Sequence, residues 1–237
     1  MENIKKVKSI SVWIFVVPFV AVNTCLILIT QFHGLFPNPG DIIHSTIPYI
    51  DGGASISRTA RVFPTYLIFK PAMFLTSFLL IKYWLYNKEI ILSFNKNQKN
   101  TKIIVFFGIA SAVALTIHSI FLGIKIDNDI YKLFRRVIML SFIIFEIVAQ
   151  AYLVATLYSL KKNLLNFINT KYLTMKLILV TTLIIVAFIS APFLNSSGYK
   201  FFKHALEWDY FIGVISFYLL THFMWKKQIK KISKDQR

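Results

Sequence analysis

Cysteine is nearly absent. The one thiol, Cys25, lies inside an apolar run, so a single chain can build neither a disulfide framework nor a cysteine-based metal site. Charge is also scarce, at 16% of residues, and it is clustered between long apolar stretches instead of being spread over a surface that water could solvate. Acidic residues are the rarer sign, 10 against 27 Lys and Arg, so the partners of this chain are to be sought among anions. Nucleophile elbows, H-E-x-x-H, P-loops, dinucleotide glycine motifs and paired-cysteine zinc spacings are all missing, which removes the common soluble-enzyme chemistries. Repeats of the transporter type and low-complexity tracts are missing too, and one domain over 1–237 accounts for the chain. No cofactor and no metal is expected.

What the sequence has instead is hydrocarbon: 56% hydrophobic and 16% aromatic residues. Six runs stand out, at 10–30, 63–85, 103–124, 137–160, 177–194 and 206–225. Most reach the roughly 20 residues that a helix needs to cross about 30 Å of hydrocarbon. The last is short, but Trp208 and Trp225 bracket it as interfacial anchors. The first follows Lys5, Lys6 and Lys8 as a signal peptide would, yet it is longer than a signal's apolar region and has no convincing small-residue cleavage site, so it is expected to stay as a helix. The runs are continuously apolar, without the period-two alternation of barrel strands, and predict an all-α, integral membrane six-helix bundle. In the third helix, Gly108, Ala112, Thr116, Ser119 and Gly123 bring small side chains to one face, a pattern for close helix approach.

The placement of the cations orients the bundle. With the N-terminus inside, the inner segments hold Lys5, Lys6, Lys8; Lys82, Lys88, Lys96, Lys99, Lys102; Lys161, Lys162, Lys171, Lys176; and Lys226, Lys227, Lys230, Lys231, Lys234 and Arg237. That is 18 of the 27, against nine on or near the outer side, and the bias predicts both termini cytoplasmic. The inner segment 160–176 alternates apolar and basic residues, as expected for a stretch lying on the inner interface, and with the basic tail 226–237 it should attract anionic lipid. The net charge of +17 is therefore assigned to lipid and not to nucleic acid.

A few residues within or beside the runs carry chemistry. Glu146 falls near the middle of the fourth run, where an unpaired carboxylate costs several kcal/mol. Lys70 is the first expected partner and His118 the second; Gln150, one turn on, and Asn23 could join a buried network that is purely structural, while the functional alternative is a headgroup or proton site. On the outer side, His44, Asp51, Arg58, Arg61, Arg135, Arg136, His204, Glu207 and Asp209 could converge around a phosphate-bearing headgroup, which suits the guanidinium fork, or remain solvated loop charges. His33 is expected in a loop and His222 at the inner interface. Asn195-Ser196-Ser197 forms a glycosylation triplet so close to the fifth helix that nothing is inferred from it.

Two local patterns and the topology are similar to those of the FRAG/DRAM/SFK family, which includes the GPI-anchor lipid-remodelling factor and the damage-regulated autophagy modulators. Ile47-Pro48-Tyr49-Ile50-Asp51-Gly52-Gly53, followed by Phe63-Pro64 entering the second helix, resembles the family's Pro-x-Ile-Ser stretch, with Asp51 where Ser is usual. Ala205-Leu206-Glu207-Trp208 resembles the Glu-aromatic pair that opens the last helix, and Pro48, Asp51, Gly52 and Glu207 are the matched positions. Where family members often carry a His near the outer start of the fourth helix, Leu133-Phe134-Arg135-Arg136 stand instead. The resemblance implies a lipid-binding accessory factor in membrane-lipid or GPI-anchor lipid remodelling; an intramembrane lipid-modifying enzyme and a small-solute transporter are the alternatives. The partners it implies are membrane lipids, with no protein partner specified.

Overall fold

The computed structural model of the chain describes residues 2–124, 126, 128–194 and 197–226. It is helical throughout: α1 (Glu2–Gln31), α2 (Ile56–Ala60), α3 (Tyr66–Phe94), α4 (Asn100–Phe121), α5 (Asp129–Ser159), α6 (Lys161–Leu164), α7 (Thr170–Leu194) and α8 (Lys200–Met224). Among the described residues there is no strand, only an isolated antiparallel bridge between Ile168 and Trp225.

Each long helix packs on its neighbours in the chain, and α8 returns to α1, so α1, α3, α4, α5, α7 and α8 close a ring. The outward face of this ring is unusually apolar: Phe106, Ile178, Ile185, Phe188 and Ile189 are all exposed. In water that would be an unprotected patch; in a bilayer it is the surface that meets acyl chains. Five of the helices, α1, α3, α4, α5 and α7, are long and apolar enough to cross a membrane. The 25-residue α8 matches them in length but carries Lys200, Lys203, Glu207 and Asp209 in its first ten residues.

Each long helix overruns its apolar run at one end at least, because backbone hydrogen bonding continues past the apolar stretch into residues such as Lys88 and Glu89 of α3 or Asp129 and Lys132 of α5. Asn128 caps α5 by accepting from Ile130 N at 2.9 Å. The small-residue face of α4 does admit a close neighbour: a Cβ on Gly108 would overlap the indole of Trp84 in α3, and Ala112 and Ser119 are buried. Gly123 departs from that pattern. It lies beyond the end of α4 with φ +87°, against the Arg61 carbonyl, where it serves a turn and not helix packing.

The two ends of the bundle differ. At the terminal end, where α1 begins and α8 finishes, Lys8 Nζ donates to Trp225 O at 2.6 Å and Lys226 N to Phe167 O at 2.9 Å. His222 is half-buried there, its Nδ1 2.9 Å from Lys8 O. The opposite, loop end is covered by residues 32–65. Lys125, Asn195, Ser196 and the basic tail 227–237 lie outside the described residues.

Candidate functional site: an apolar cavity beneath an arginine cluster

Residues at helical spacing line a cavity of about 100 Å³ inside the ring. α5 contributes Met139, Phe142, Ile143 and Glu146; α8 contributes Glu207, Tyr210, Phe211, Val214 and Tyr218; α4 contributes Leu115 and His118. Ile14, Pro18 and Val22 of α1 and Phe69, Met73 and Thr76 of α3 complete an almost wholly apolar wall, with Ile56 and Ser57 of α2 at the loop end.

The first carboxyl in that wall is Glu146, fully buried. Ser111 Oγ of α4 stands 2.6 Å from its Oε2, Gln150 Nε2 donates to Oε1 at 3.0 Å, and the Tyr218 hydroxyl of α8 bonds the same oxygen. The expected partner, Lys70, is elsewhere: its Nζ donates to Ile120 O at 3.3 Å and lies over the Tyr66 ring. The reason is vertical position. Lys70 sits only four residues into α3 at the loop end, about 6 Å along the axis, and its ammonium turns to the exposed carbonyls at the end of α4. His118 lines the same cavity without bonding Glu146, and its Nδ1 is buried without a partner. Gln150 joins Glu146 as expected, but Asn23 does not; it donates to Phe19 O and accepts from Tyr49 OH at 3.0 Å, tying the outer loop to α1.

Glu207 is the second carboxyl. It accepts from the backbone N–H groups of Ile56 and Ser57 and so holds the first turn of α2, while its Oε1 is buried without a partner. The next residue, Trp208, is fully buried; its indole donates to Ala54 O at 2.8 Å and meets Tyr49 edge-on at 4.8 Å. His204, one turn earlier, stands 2.9 Å from Gly52 O. Gly52 has φ +63°, and a Cβ there would collide with the Phe201 carbonyl. Pro48 is buried in the same loop. Consecutive turns of α8 therefore hold down the stretch 48–57, which forms the cavity's loop-end cover.

The arginines gather above it. Arg58 and Arg61 follow the cavity-lining Ser57, and Arg135 precedes Met139 by one turn on the same face of α5. Arg61 has its pKa lowered by partial loss of hydration and then by the positive charges of Arg135 and Arg58, with Asp41 opposing. Arg135 also lies within electrostatic reach of His118, its Nε buried and unpartnered, and Arg58 within reach of His204.

Other sequence candidates stay apart. Asp51 is exposed and serves its own loop, accepting from Thr46 Oγ1 at 2.5 Å and from the N–H groups of Ile47 and Gly53 at 2.8 Å each. Arg136 and Asp209 are exposed, and His44 is exposed with its ring edge-on to His33. The described residues contain no group of His, Cys, Asp and Glu that could hold a metal ion.

One buried charge-bearing residue escaped the sequence reading. Lys176, counted there among inner-loop cations, is fully buried in α7, with Nζ donating to Thr221 Oγ1 at 2.7 Å over the face of Phe217. The only signal was that Leu177 and a long apolar run follow it directly, so that an early turn of α7 had to lie inside the ring.

Comparison of the chain with protein-family models, with curated proteins and with solved structures finds no match.

Proposed function

We propose that this protein is a six-span membrane protein with both termini on the cytoplasmic side, and that it binds a phosphate-bearing lipid, with the phosphate among Arg58, Arg61 and Arg135 and the apolar part in the ring cavity. The observation that carries this reading is the clustering of three guanidinium groups, within reach of one another and without a salt bridge to a carboxylate among the described residues, over a cavity lined by hydrocarbon. Uncompensated Arg charge of this kind favours a fork-binding anion, and an apolar cavity favours acyl chain. The sixth span is α8, whose charges fall in its outer turns while 210–224 stays apolar; the excess of Lys at the terminal end supports the orientation.

The resemblance to the FRAG/DRAM/SFK family supports placing such binding in membrane-lipid or GPI-anchor lipid remodelling, as an accessory factor. The matched Glu207 then has a physical part: it anchors the cover over the cavity and leaves Oε1 toward a ligand. An intramembrane enzyme is the second reading, favoured by the unpartnered His118 Nδ1 and Glu207 Oε1 in one cavity region.

The test is mass spectrometry of lipids retained by the purified protein in nanodiscs of mixed phospholipid. Arg61→Gln with Arg135→Gln is expected to lose a phospholipid that wild type retains, with the helical content unchanged. Equal retention by both proteins overturns the reading.

A further inference from the structure

The turn that joins α3 to α4 is almost without negative charge. From 82 to 107 the sequence holds Lys82, Lys88, Lys96, Lys99 and Lys102 against a single carboxylate, Glu89. Glu89 is turned away from the turn: its Oε2 accepts from Asn3 Nδ2 of α1 at 2.6 Å, which also places this stretch at the terminal end of the bundle. The connection itself is folded back on its own backbone. Asn95 N donates to Ile91 O at 2.9 Å, Asn97 N to the Asn95 side chain at 3.1 Å, and Thr101 N and Oγ1 both to Gln98 O, at 3.3 and 2.9 Å. Bonds of this local kind give a turn a defined shape, and this one holds its flanking lysines close together.

Lys88 and Leu92 of α3, Lys96 and Lys99 of the turn, and Lys102 and Phe106 of α4 line a groove of about 640 Å³, within the size range of ligand sites. No Asp or Glu is part of the lining. The four lysines are exposed, and among the described residues none of their ammonium groups has an ion pair or a hydrogen bond. Four like charges around one groove repel one another, so the ligand that gains most is one that brings several negative charges into the same space. A phosphodiester brings one, whereas each phosphomonoester adds about −1.5 to −2 at neutral pH.

The groove is also continuous with the surface that meets acyl chains. Phe106, one turn from Lys102 on the same face of α4, is 66% exposed and belongs to the outward face of the ring. Lysines clustered just beyond the end of a membrane span, next to exposed hydrocarbon, suit an anionic lipid better than a free anion. We propose that the groove between α3 and α4 is a second lipid site, at the terminal end of the bundle, for a phospholipid whose headgroup carries phosphomonoesters. Lys96, Lys99 and Lys102 hold the phosphates, and Phe106 meets the acyl chain. The site is separate from the loop-end arginines and from the basic segment 160–176, and it stands whether or not the loop end binds lipid.

Native mass spectrometry of the detergent-solubilised protein, titrated with phosphatidylinositol bisphosphate or with phosphatidylserine, tests it. Wild type is expected to prefer the bisphosphate. Lys96→Gln with Lys99→Gln and Lys102→Gln, all at exposed positions, should weaken bisphosphate binding on the order of a hundredfold, at roughly fivefold per lysine, with helical content unchanged. Lys161→Gln with Lys162→Gln and Lys171→Gln removes as much charge from the same end and should keep the preference, as should Arg61→Gln with Arg135→Gln. Equal weakening by the two lysine triples would mean diffuse charge, and loss of the preference in the arginine variant would put the lipid at the loop end; either overturns the proposal. So does free inositol trisphosphate that binds as tightly as the lipid, because the groove would then take a soluble anion.

Discussion

The terminal end and the loop end of this bundle are closed by different means. At the terminal end the chain closes largely with backbone: Asn169 N donates to Met224 O at 2.8 Å, Lys226 N to Phe167 O at 2.9 Å, and Lys8 adds its ammonium to Trp225 O. At the loop end, side chains of α8 hold a long segment of little regular structure, while Glu207 Oε1, His118 Nδ1 and Arg135 Nε stay buried without partners. Buried polar atoms are normally satisfied. The terminal end also buries Trp225 Nε1 and Thr156 Oγ1 without partners, so what sets the loop end apart is placement: Glu207 and His118 line the cavity and Arg135 lies one turn beyond it, where their spare atoms face space for a ligand.

The comparison breaks most readily at Trp208. Trp208→Ala removes a fully buried indole, its bond to Ala54 O and its edge contact with Tyr49, and is expected to cost about 3–5 kcal/mol, as buried Trp truncations do. Lys8→Met at the terminal end takes away the ammonium's hydrogen bond to Trp225 O, which should cost about 0.5–1.5 kcal/mol. Thermal unfolding in detergent measures both. Equal losses would mean that the loop end does not depend on its side-chain latches.

Gly52→Ala is a milder test of the same end. The φ of +63° and the overlap with the Phe201 carbonyl force the loop away from α8, for a cost of about 1–3 kcal/mol. Limited proteolysis in nanodiscs should cut residues 44–55 faster in the variant, with the terminal end unchanged. Unaltered cleavage would show that Gly52 is not part of the cover.

How much of this was legible in the sequence follows from the length scale of each signal. The helical bundle was readable because its apolar runs are uniform over twenty residues, a property that needs no partner to interpret. The chemistry near Glu146 was half readable. Gln150 joins it because one helical turn fixes that neighbour, but Lys70, chosen for opposite charge and depth, turned to Ile120 O, and the bonds came from Ser111 and Tyr218 on other helices. Nothing in the spacing of a single chain distinguishes those hydroxyls from many others in the runs. Lys176 was missed because a lysine at the edge of an apolar run looks the same whether it points to water or inward; the ring closure by α7 and α8 decides it.

The smallest expected effect separates the ends by pH. Three hydrogen bonds hold the Asp51 carboxyl below the usual aspartate range, the Thr46 hydroxyl contributing most and the Gly53 and Ile47 N–H groups following. A carboxyl whose folded pKa is depressed stabilises fully above its ordinary value of 3.8, and that stabilisation is lost as pH falls through the lower folded value. Protection of residues 44–55 from pepsin should therefore fall in wild type as the pH drops below 3.8, whereas Asp51→Asn should show reduced protection that no longer depends on acid. The backbone pairing of 167 and 169 with 224 and 226 contains no titrating group, so those residues should keep their protection over the same range, apart from the exposed Glu2–Lys6 pair at the start of α1, which acid also weakens. Parallel acid loss at both ends would mean that the two are one cooperative unit, and that the loop cover cannot open while the rest of the bundle stays closed.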